Sequence, residues 1–517
     1  MARVETVQTS WVNGMKSDFP RDGMPPNSAW NAVDLILNYG APLRQRGGWA
    51  NWSQDIASVT AASATYIRGG LYAVYATSAG GSTAKNIAID EDGHLFDVTT
   101  TNAAASIGAA LTLLQNPVFH GGTAASAATP VFTGLAIIPD GTGAAVPKKY
   151  DGTTLSNLGG SPPKARFASV YKDYTVLANG TVGSTLYPNR VWFSPEGDPD
   201  VAVSGAVTAW DTTDSWIDFS QPVKGFGATK NALLVFGDTQ LARIRGSTPP
   251  PDEDMVVDDP LFQVGLLDAF SIVEHKESIF WAAPEGVFRS DGVVLDDLTK
   301  KGGMLRHWLN LVSSATSTWT VAAGVIRDQY VVVLMDGSTF KDCLVCDLQS
   351  YAWTRMSNID AVAMWTGQQG LADELYWGRR GAARVAVLDS IFQKVGDSSY
   401  KADGDSDVVA PVLETPFYEL GKPGLKRIKN CYVGYELTDH GSDNPSCAVS
   451  FITTPEETSY TASTALSETT TYRRERRGIS KQAPGVALKF TRSNAGDFLL
   501  YDLGYEVHAL EQSRRPR

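Results

Sequence analysis

Short runs of β-branched and aromatic residues recur along the chain, each closed off by turn-forming residues: Tyr330-Val-Val-Val-Leu-Met335, Ala232-Leu-Leu-Val-Phe236, Ser278-Ile-Phe-Trp-Ala282 and Tyr174-Thr-Val-Leu177. Such runs predict strands, because branched and aromatic side chains pack well on a pleated surface while Gly, Asp and Asn bend the chain between them. Helical spacing is scarce. The clearest instance is Met304, Leu305, Trp308, Leu309 and Val312, an i, i+1, i+4, i+5, i+8 stripe that predicts one helix lying against a sheet.

The strand pattern repeats. A strand, a charged turn, a more apolar strand, a glycine turn and a third strand make up each copy. One copy is Val223-Lys-Gly-Phe-Gly-Ala-Thr-Lys-Asn-Ala-Leu-Leu-Val-Phe-Gly-Asp238 with Leu241-Ala-Arg-Ile244. A second is Phe270-Ser-Ile-Val-Glu-His-Lys-Glu-Ser-Ile-Phe-Trp-Ala282 with Gly286-Val-Phe-Arg-Ser-Asp-Gly292. A third is Val321-Ala-Ala-Gly-Val-Ile-Arg-Asp-Gln-Tyr-Val-Val-Val-Leu334 with Leu344-Val-Cys-Asp-Leu348. Weaker copies begin near Phe167, Leu71 and Ala361. Their spacing of roughly 45–50 residues suits one four-stranded blade. A lone small sheet leaves its faces and edges uncovered, and arranging sheets around an axis covers them. The expected fold is therefore all-β: a β-propeller of about six blades, with a β-sandwich joined by long connections as the alternative. Beyond the propeller the segment 398–407 is polar and rich in Gly and Asp, and the strands after it alternate as half-buried antiparallel strands do. The predicted order is an N-terminal strap or docking segment over 1–60, the propeller over 61–397, a linker over 398–407, and a C-terminal β-sandwich over 408–517.

Composition narrows the classes. A chain of 517 residues exceeds one ordinary core. With 43% hydrophobic and 19% charged residues it is not a disordered chain. A net charge of −12 opposes general nucleic-acid affinity, though not passive contact with DNA. No apolar run is long enough to span a bilayer, and the opening Met1-Ala2-Arg3-Val4-Glu5 lacks a secretory signal, so a product made in a cytoplasm and without membrane insertion is expected. Four cysteines, Cys343, Cys346, Cys431 and Cys447, are too few for a disulfide framework. Cys343-Leu-Val-Cys346 sits in an apolar run with no second pair nearby and reads as structural.

Candidate chemistry is sparse. There is no GxxxxGK[ST], HExxH, GxSxG or strand–GxGxxG–helix unit, and His94, His120, His275, His307, His440 and His508 are scattered singly. Asp403, Asp405, Asp407 and Glu414 fall at positions 1, 3, 5 and 12 of a calcium loop, but Val408 replaces the turn glycine and Pro411 interrupts it, so a solvated linker is expected. Pro249-Pro-Pro-Asp-Glu-Asp254 with Asp258 and Asp259 reads as a stiff acidic loop, or as a docking loop. Arg473, Arg474, Arg476 and Arg477, with Lys481 nearby, form the strongest basic cluster and are the candidates for a subunit interface with an acidic neighbour. No cofactor, metal or catalytic residue is assigned.

Two stretches resemble a known family. Gly23-Met-Pro-Pro-Asn-Ser-Ala-Trp-Asn-Ala-Val-Asp-Leu-Ile-Leu37, leading through Gly40 to Leu43-Arg-Gln-Arg-Gly-Gly-Trp49, is similar to the opening of phage tail proteins. Val412-Leu-Glu-Thr-Pro-Phe-Tyr418, Lys426-Arg-Ile-Lys429 and Phe498-Leu-Leu-Tyr-Asp-Leu-Gly-Tyr-Glu-Val507, with the Arg514-Arg515 tail, resemble the strands that open and close their C-terminal domain. The family is the β-propeller tail hub, or nozzle, of short-tailed bacteriophages. The resemblance implies a non-enzymatic structural protein of the virion tail: a homo-oligomer, a hexamer, below the portal-adaptor ring. It would hold tail fibres or a needle-like plug and let DNA pass without specific binding. The rival expectations are a carbohydrate-active propeller enzyme, which needs paired carboxylates at a pocket, and a receptor-binding adhesin.

Overall fold

The computed structural model of the chain describes residues 2–509 except 9, 38–42, 47, 61–63, 77–80, 110, 122–133, 198, 201–208, 252–253, 316–318, 370–371, 389–401, 404–406, 420–425, 440–445, 464, 468 and 493–495. Among them, six four-stranded antiparallel sheets, together with one run of four antiparallel strands that continues into a ten-stranded sheet, follow one another along the chain, each resembling a propeller blade. Their first strands are Ile67–Ala76, Val118–His120, Lys164–Tyr171, Gly225–Ala228, Val273–His275, Trp319–Ile326 and Ala361–Gln369. Each first strand packs against the next, and Ala361–Gln369 packs against Ile67–Ala76. Seven such units stand where five to seven blades, six preferred, were expected. The extra one is the second, whose strands Val118–His120, Leu135–Ile138, Lys148–Tyr150 and Leu155–Asn157 are three or four residues long and too short to show a period.

The charged turns of the repeat have a definite geometry. Lys172 and Asp173 (φ 49° and 63°), Lys276 and Glu277 (46° and 59°), and Arg327 and Asp328 (47° and 62°) join the first two strands of the third, fifth and sixth sheets. Positive φ at both central residues gives the two-residue hairpin whose twist matches its strands. Charged residues occupy positions where Asn-Gly is usual, and neighbouring turns bond to one another. The Lys230 amide donates to Glu277 at 3.2 Å, and His275 Nε2 lies 2.9 Å from Asp328.

The seventh sheet has three strands of its own and takes its fourth, Ala50–Asn51, from near the start of the chain. The Gly-Trp turn explains how that strand is held. The Trp49 ring meets Trp377 edge-on at 5.4 Å, and the Trp52 ring meets Tyr376 at 5.2 Å. Burying each indole contributes about 1.5–3 kcal/mol.

The predicted helix is Leu305–Val312, with Trp308 fully buried. The last part of the chain forms two facing layers. One orders Thr469–Ala483, Lys426–Asp439, Gly496–Ala509, Leu43–Gln45 and Leu35–Ile36, with Ala2–Gln8 also on Gly496–Ala509. The other contains Val412–Glu414, Ala487–Thr491 and Ser446–Ile452. Leu413, Val433, Tyr435, Phe451, Leu488, Phe490 and Leu500 fill the space between them. Asn31–Val33 joins this second layer to the sixth sheet, pairing Val33 with Arg355 on one side and Val412 on the other. The N-terminal residues are thus shared between both parts of the fold.

Candidate functional site

Where the first strands of the second to fifth sheets approach one another lies a cavity of about 270 Å³, lined among others by Gln115, Asn116, Phe119, Ser169, Phe226 and Glu274. Two amide side chains fix its wall. Gln115 Nε2 donates to the Ala168 carbonyl at 2.7 Å, tying the wall to the third sheet. Asn116 accepts from the Gly70 amide at 3.2 Å and donates to the Met364 carbonyl at 2.7 Å, tying it to the first and seventh. Leu113 and Phe270 are buried beside the cavity, and a Cβ on Gly69 would come within 2.6 Å of Leu113 Cδ1, so a larger residue there would have to displace the Leu113 side chain.

Two carboxyl groups bear on this region: Glu274 lines the cavity, and Asp268 precedes its lining residue Ala269. Asp268 caps the turn Ala269–Ser271, accepting from the Phe270 amide at 3.1 Å and from the Val321 amide of the sixth sheet at 3.2 Å. Glu274 points the other way and accepts from the Ala228 amide of the fourth sheet at 2.6 Å. Glu274 is exposed at its surface and Asp268 is half-buried, while protein atoms crowd the surroundings of both. That enclosure, by stripping solvation from the charged form, pushes both carboxyls up to about 6. The amide bonds, and Arg68 in the case of Asp268, pull only part of the way back. A carboxyl near 6 both holds and releases a proton close to neutral pH, as acid–base work requires.

In the sequence Glu274 is one position of a strand and Asp268 carries no signal of its own. The available signal was a glutamate inside a first strand, where the corresponding Gly225–Ala228 strand carries only apolar and small residues.

The other singled-out residues lie elsewhere. Arg473, Arg474, Arg476 and Arg477 sit on Thr469–Ala483, an edge strand of its layer. Arg473 pairs with Glu475 at 2.9 Å, Arg474 with Asp502 at 3.2 Å, and Arg477 with Glu475, so much of the cluster's charge is matched within the chain. Asp405 lies outside the described residues, and the backbones of Asp403 and Asp407 pair in a two-residue ladder. Glu414 is paired with Lys489 at 3.1 Å and Arg21 at 3.5 Å. Among the described residues no group of three or more His, Cys, Asp or Glu could hold a metal ion. All four cysteines are buried and free; burial pushes the Cys431 and Cys447 thiols up to about 12. Among the described histidines, His94 pairs with Asp90, His275 with Asp328, His307 with Asp342 and His508 with Glu506. His120 bonds Thr175, and His440 lies outside the described residues. In the acidic loop Asp254 accepts from the Ser247 and Thr248 amides and Asp258 pairs with Arg243, so these carboxylates shape a hairpin of the fourth sheet.

No family model matches the chain, and no curated protein matches it. Solved structures do. An exo-β-1,3-galactanase from Phanerochaete chrysosporium aligns over 90% of this chain and 100% of its own, at 11% identity and a TM-score of 0.25. A puromycin-hydrolyzing peptidase from Mycobacterium tuberculosis aligns over 71% and 61%, at 8% identity and 0.31. A fructofuranosidase from Schwanniomyces occidentalis aligns over 89% and 96%, at 7% identity and 0.23. At these identities and scores no activity is carried across. The tail-hub resemblance is nonetheless corrected: its motifs are patterns of strands and turns without chemistry, and the matches found include glycoside hydrolases and a peptidase such as these. With it go the non-enzymatic reading, the hexamer, the portal-adaptor, fibre and plug partners, the passage of DNA and the place in a virion tail. No helix among the described residues is long and apolar enough to cross a membrane.

Proposed function

We propose that the seven sheets close into a seven-bladed propeller, and that the cavity beside its centre is the active site of a carbohydrate-active hydrolase. The observation that carries this is Glu274, a carboxyl pushed up to about 6 on the wall of the cavity, with Asp268, raised likewise, next in the chain to the wall residue Ala269. Glycoside hydrolysis needs two carboxyls in different roles, one giving a proton to the leaving oxygen and one supporting the charge that develops on the sugar or activating water. Glu274 lines the cavity and serves as the acid. Asp268, nearer Arg68, serves as the charged partner. The Gln115 and Asn116 segment with Ser169 supplies polar wall, and Phe119 and Phe226 supply apolar faces for a sugar ring. The domain division is part of the proposal: 61–397 as propeller and 408–517 as sandwich, with protease cleavage expected first within 398–407.

The test is a panel of chromogenic aryl glycosides of hexoses and pentoses in both anomeric forms. The expected result is turnover of at least one class with a pH profile bounded near 6. Turnover that survives both Glu274→Gln and Asp268→Asn, or a wild-type chain that neither cleaves nor binds any of the glycosides, overturns the reading.

A further inference from the structure

A second cavity of about 270 Å³ opens where the helix Leu305–Val312, the sixth sheet, the N-terminal segment and the C-terminal layers meet. Trp30, Asn31, Arg306, His307, Arg355 and Glu414 are among the residues that line it. Its acids are committed. Asp342, buried beneath it, accepts from His307 Nε2 at 2.8 Å and from Arg355 Nε at 2.9 Å. Burial drives that carboxyl upward, but the His307 bond and Arg355 outweigh it and hold it below the usual range. Glu414 is matched by Lys489 and Arg21 and accepts from the Tyr460 hydroxyl at 2.7 Å. Asp18 accepts from the Leu305 and Arg306 amides and so closes the end of the helix.

The cations are not all committed. Arg306 is exposed, and among the described residues its guanidinium has no ion-pair partner. Arg355 spends its Nε on Asp342, and no described residue bonds its two terminal nitrogens. The cavity therefore presents two guanidinium groups beside an indole, in a chain whose net charge is −12. Guanidinium forks match the planar or tetrahedral oxygens of carboxylate and phosphate.

We infer that this cavity binds a small oxyanion-bearing molecule, with Arg306 and Arg355 gripping the anionic group and Trp30 flanking the rest. A free carboxylate and a phosphate share this chemistry. The inference stands apart from the hydrolase reading, because it uses none of that cavity's residues.

The full chain is melted in inorganic phosphate and, separately, in acetate, each compared with potassium chloride at equal ionic strength. Binding to the folded state raises the melting temperature by mass action, here by roughly 2–4 °C at saturating concentration. Arg306→Ala should remove the rise while leaving the ligand-free melting temperature in place, and Arg306→Lys should restore part of it. A rise with phosphate alone assigns a phosphate ligand, and a rise with acetate alone a carboxylate. Phosphate-31 line broadening on the wild-type chain, relieved by sulfate, gives a readout that needs no variant. No rise with either anion, a rise equalled by chloride, or one unchanged in Arg306→Ala overturns the inference.

Discussion

Glu274 and Asp328 stand on opposite sides of one hairpin and titrate on opposite sides of the usual carboxylate range. Glu274 leans toward the fourth sheet, takes a single amide, and is pushed up to about 6 by enclosure. Asp328, in the turn of the sixth sheet, receives Lys276 and His275 from that same hairpin and is held at about 2. Burial acts against the charge in both cases; the difference lies in what the neighbours donate. One neutral amide cannot replace the water that Glu274 loses, whereas a full positive charge more than replaces what Asp328 loses. A propeller-like array repeats its turns, so adjacent turns can clasp electrostatically while the strand side of the same hairpin stays short of donors.

The largest effect expected from this contrast is on turnover. Glu274→Gln should lower glycoside hydrolysis by roughly 10²–10⁴-fold, the usual weight of a general acid, while Asp328→Asn leaves it within a factor of about two. Equal losses in both variants would mean that the hairpin matters as scaffold only. Next comes packing beside the cavity. Leu113 is fully buried, and its carbonyl accepts from Arg68. Leu113→Ala should cost about 2–5 kcal/mol in urea unfolding. By admitting water it should also bring Asp268 back toward the ordinary carboxylate range, read by carbon-13 NMR of the carboxyl. A large loss of stability with Asp268 still near 6 would show that its environment does not depend on that packing.

Part of this was legible in the sequence. Alternation and turn residues mark the strands, and the Lys-Asp, Lys-Glu and Arg-Asp turns stand at 172–173, 276–277 and 327–328, where the repeat places a charged turn. The helix at Leu305–Val312 follows its stripe. The second sheet was not legible, because strands of three residues carry no measurable period. Nor were the partners of the N-terminal strands. A period of two says which face is buried but not which strand lies alongside, and Ala2–Gln8 pairs with residues nearly the whole chain away. The cavity was invisible for the same reason. Glu274 shares the cavity wall with Phe226, Ser169 and Gln115, which come from separate sheets and an intervening segment. The basic run around Arg473 drew notice because charge density is a local property, yet Glu475 and Asp502 answer much of it.

The third effect is on stability. A carboxyl raised in the folded state holds its proton more tightly there than in the unfolded chain. Its contribution to stability is present below the unfolded value of 4.5 and is lost as pH rises through about 6. Glu274→Gln should therefore match the wild type near pH 4 and exceed it by about 1 kcal/mol at pH 8, a figure reduced from the full shift because solvent reaches the group. Urea midpoints at the two pH values check this. A variant less stable than wild type at pH 8 would mean that the charged form is welcome where it sits.

The smallest effect belongs to Asp328, and its sign is the reverse. A carboxyl lowered in the folded state contributes stability that is complete above the unfolded value of 3.8 and is lost as pH falls through about 2. Lys276, the largest single cause of that lowering, is two-thirds exposed, and exposed pairs are worth about 0–1 kcal/mol, so Asp328→Asn should cost no more than that at pH 7. Asparagine tolerates the turn's φ of 62° at least as well as aspartate, so the backbone does not enter the difference. What remains is charge, and charge can be screened. In about 1 M salt, where the Debye length falls to roughly 3 Å, the gap between variant and wild type should shrink, and below pH 2 it should close. Lys276→Ala should cost about the same, and the double variant no more than either alone, because the clasp is already broken. If the cost of Asp328→Asn persists at pH 2, the carboxylate is acting as a neutral hydrogen-bonding group in the turn, and the contrast with Glu274 reduces to a difference in burial.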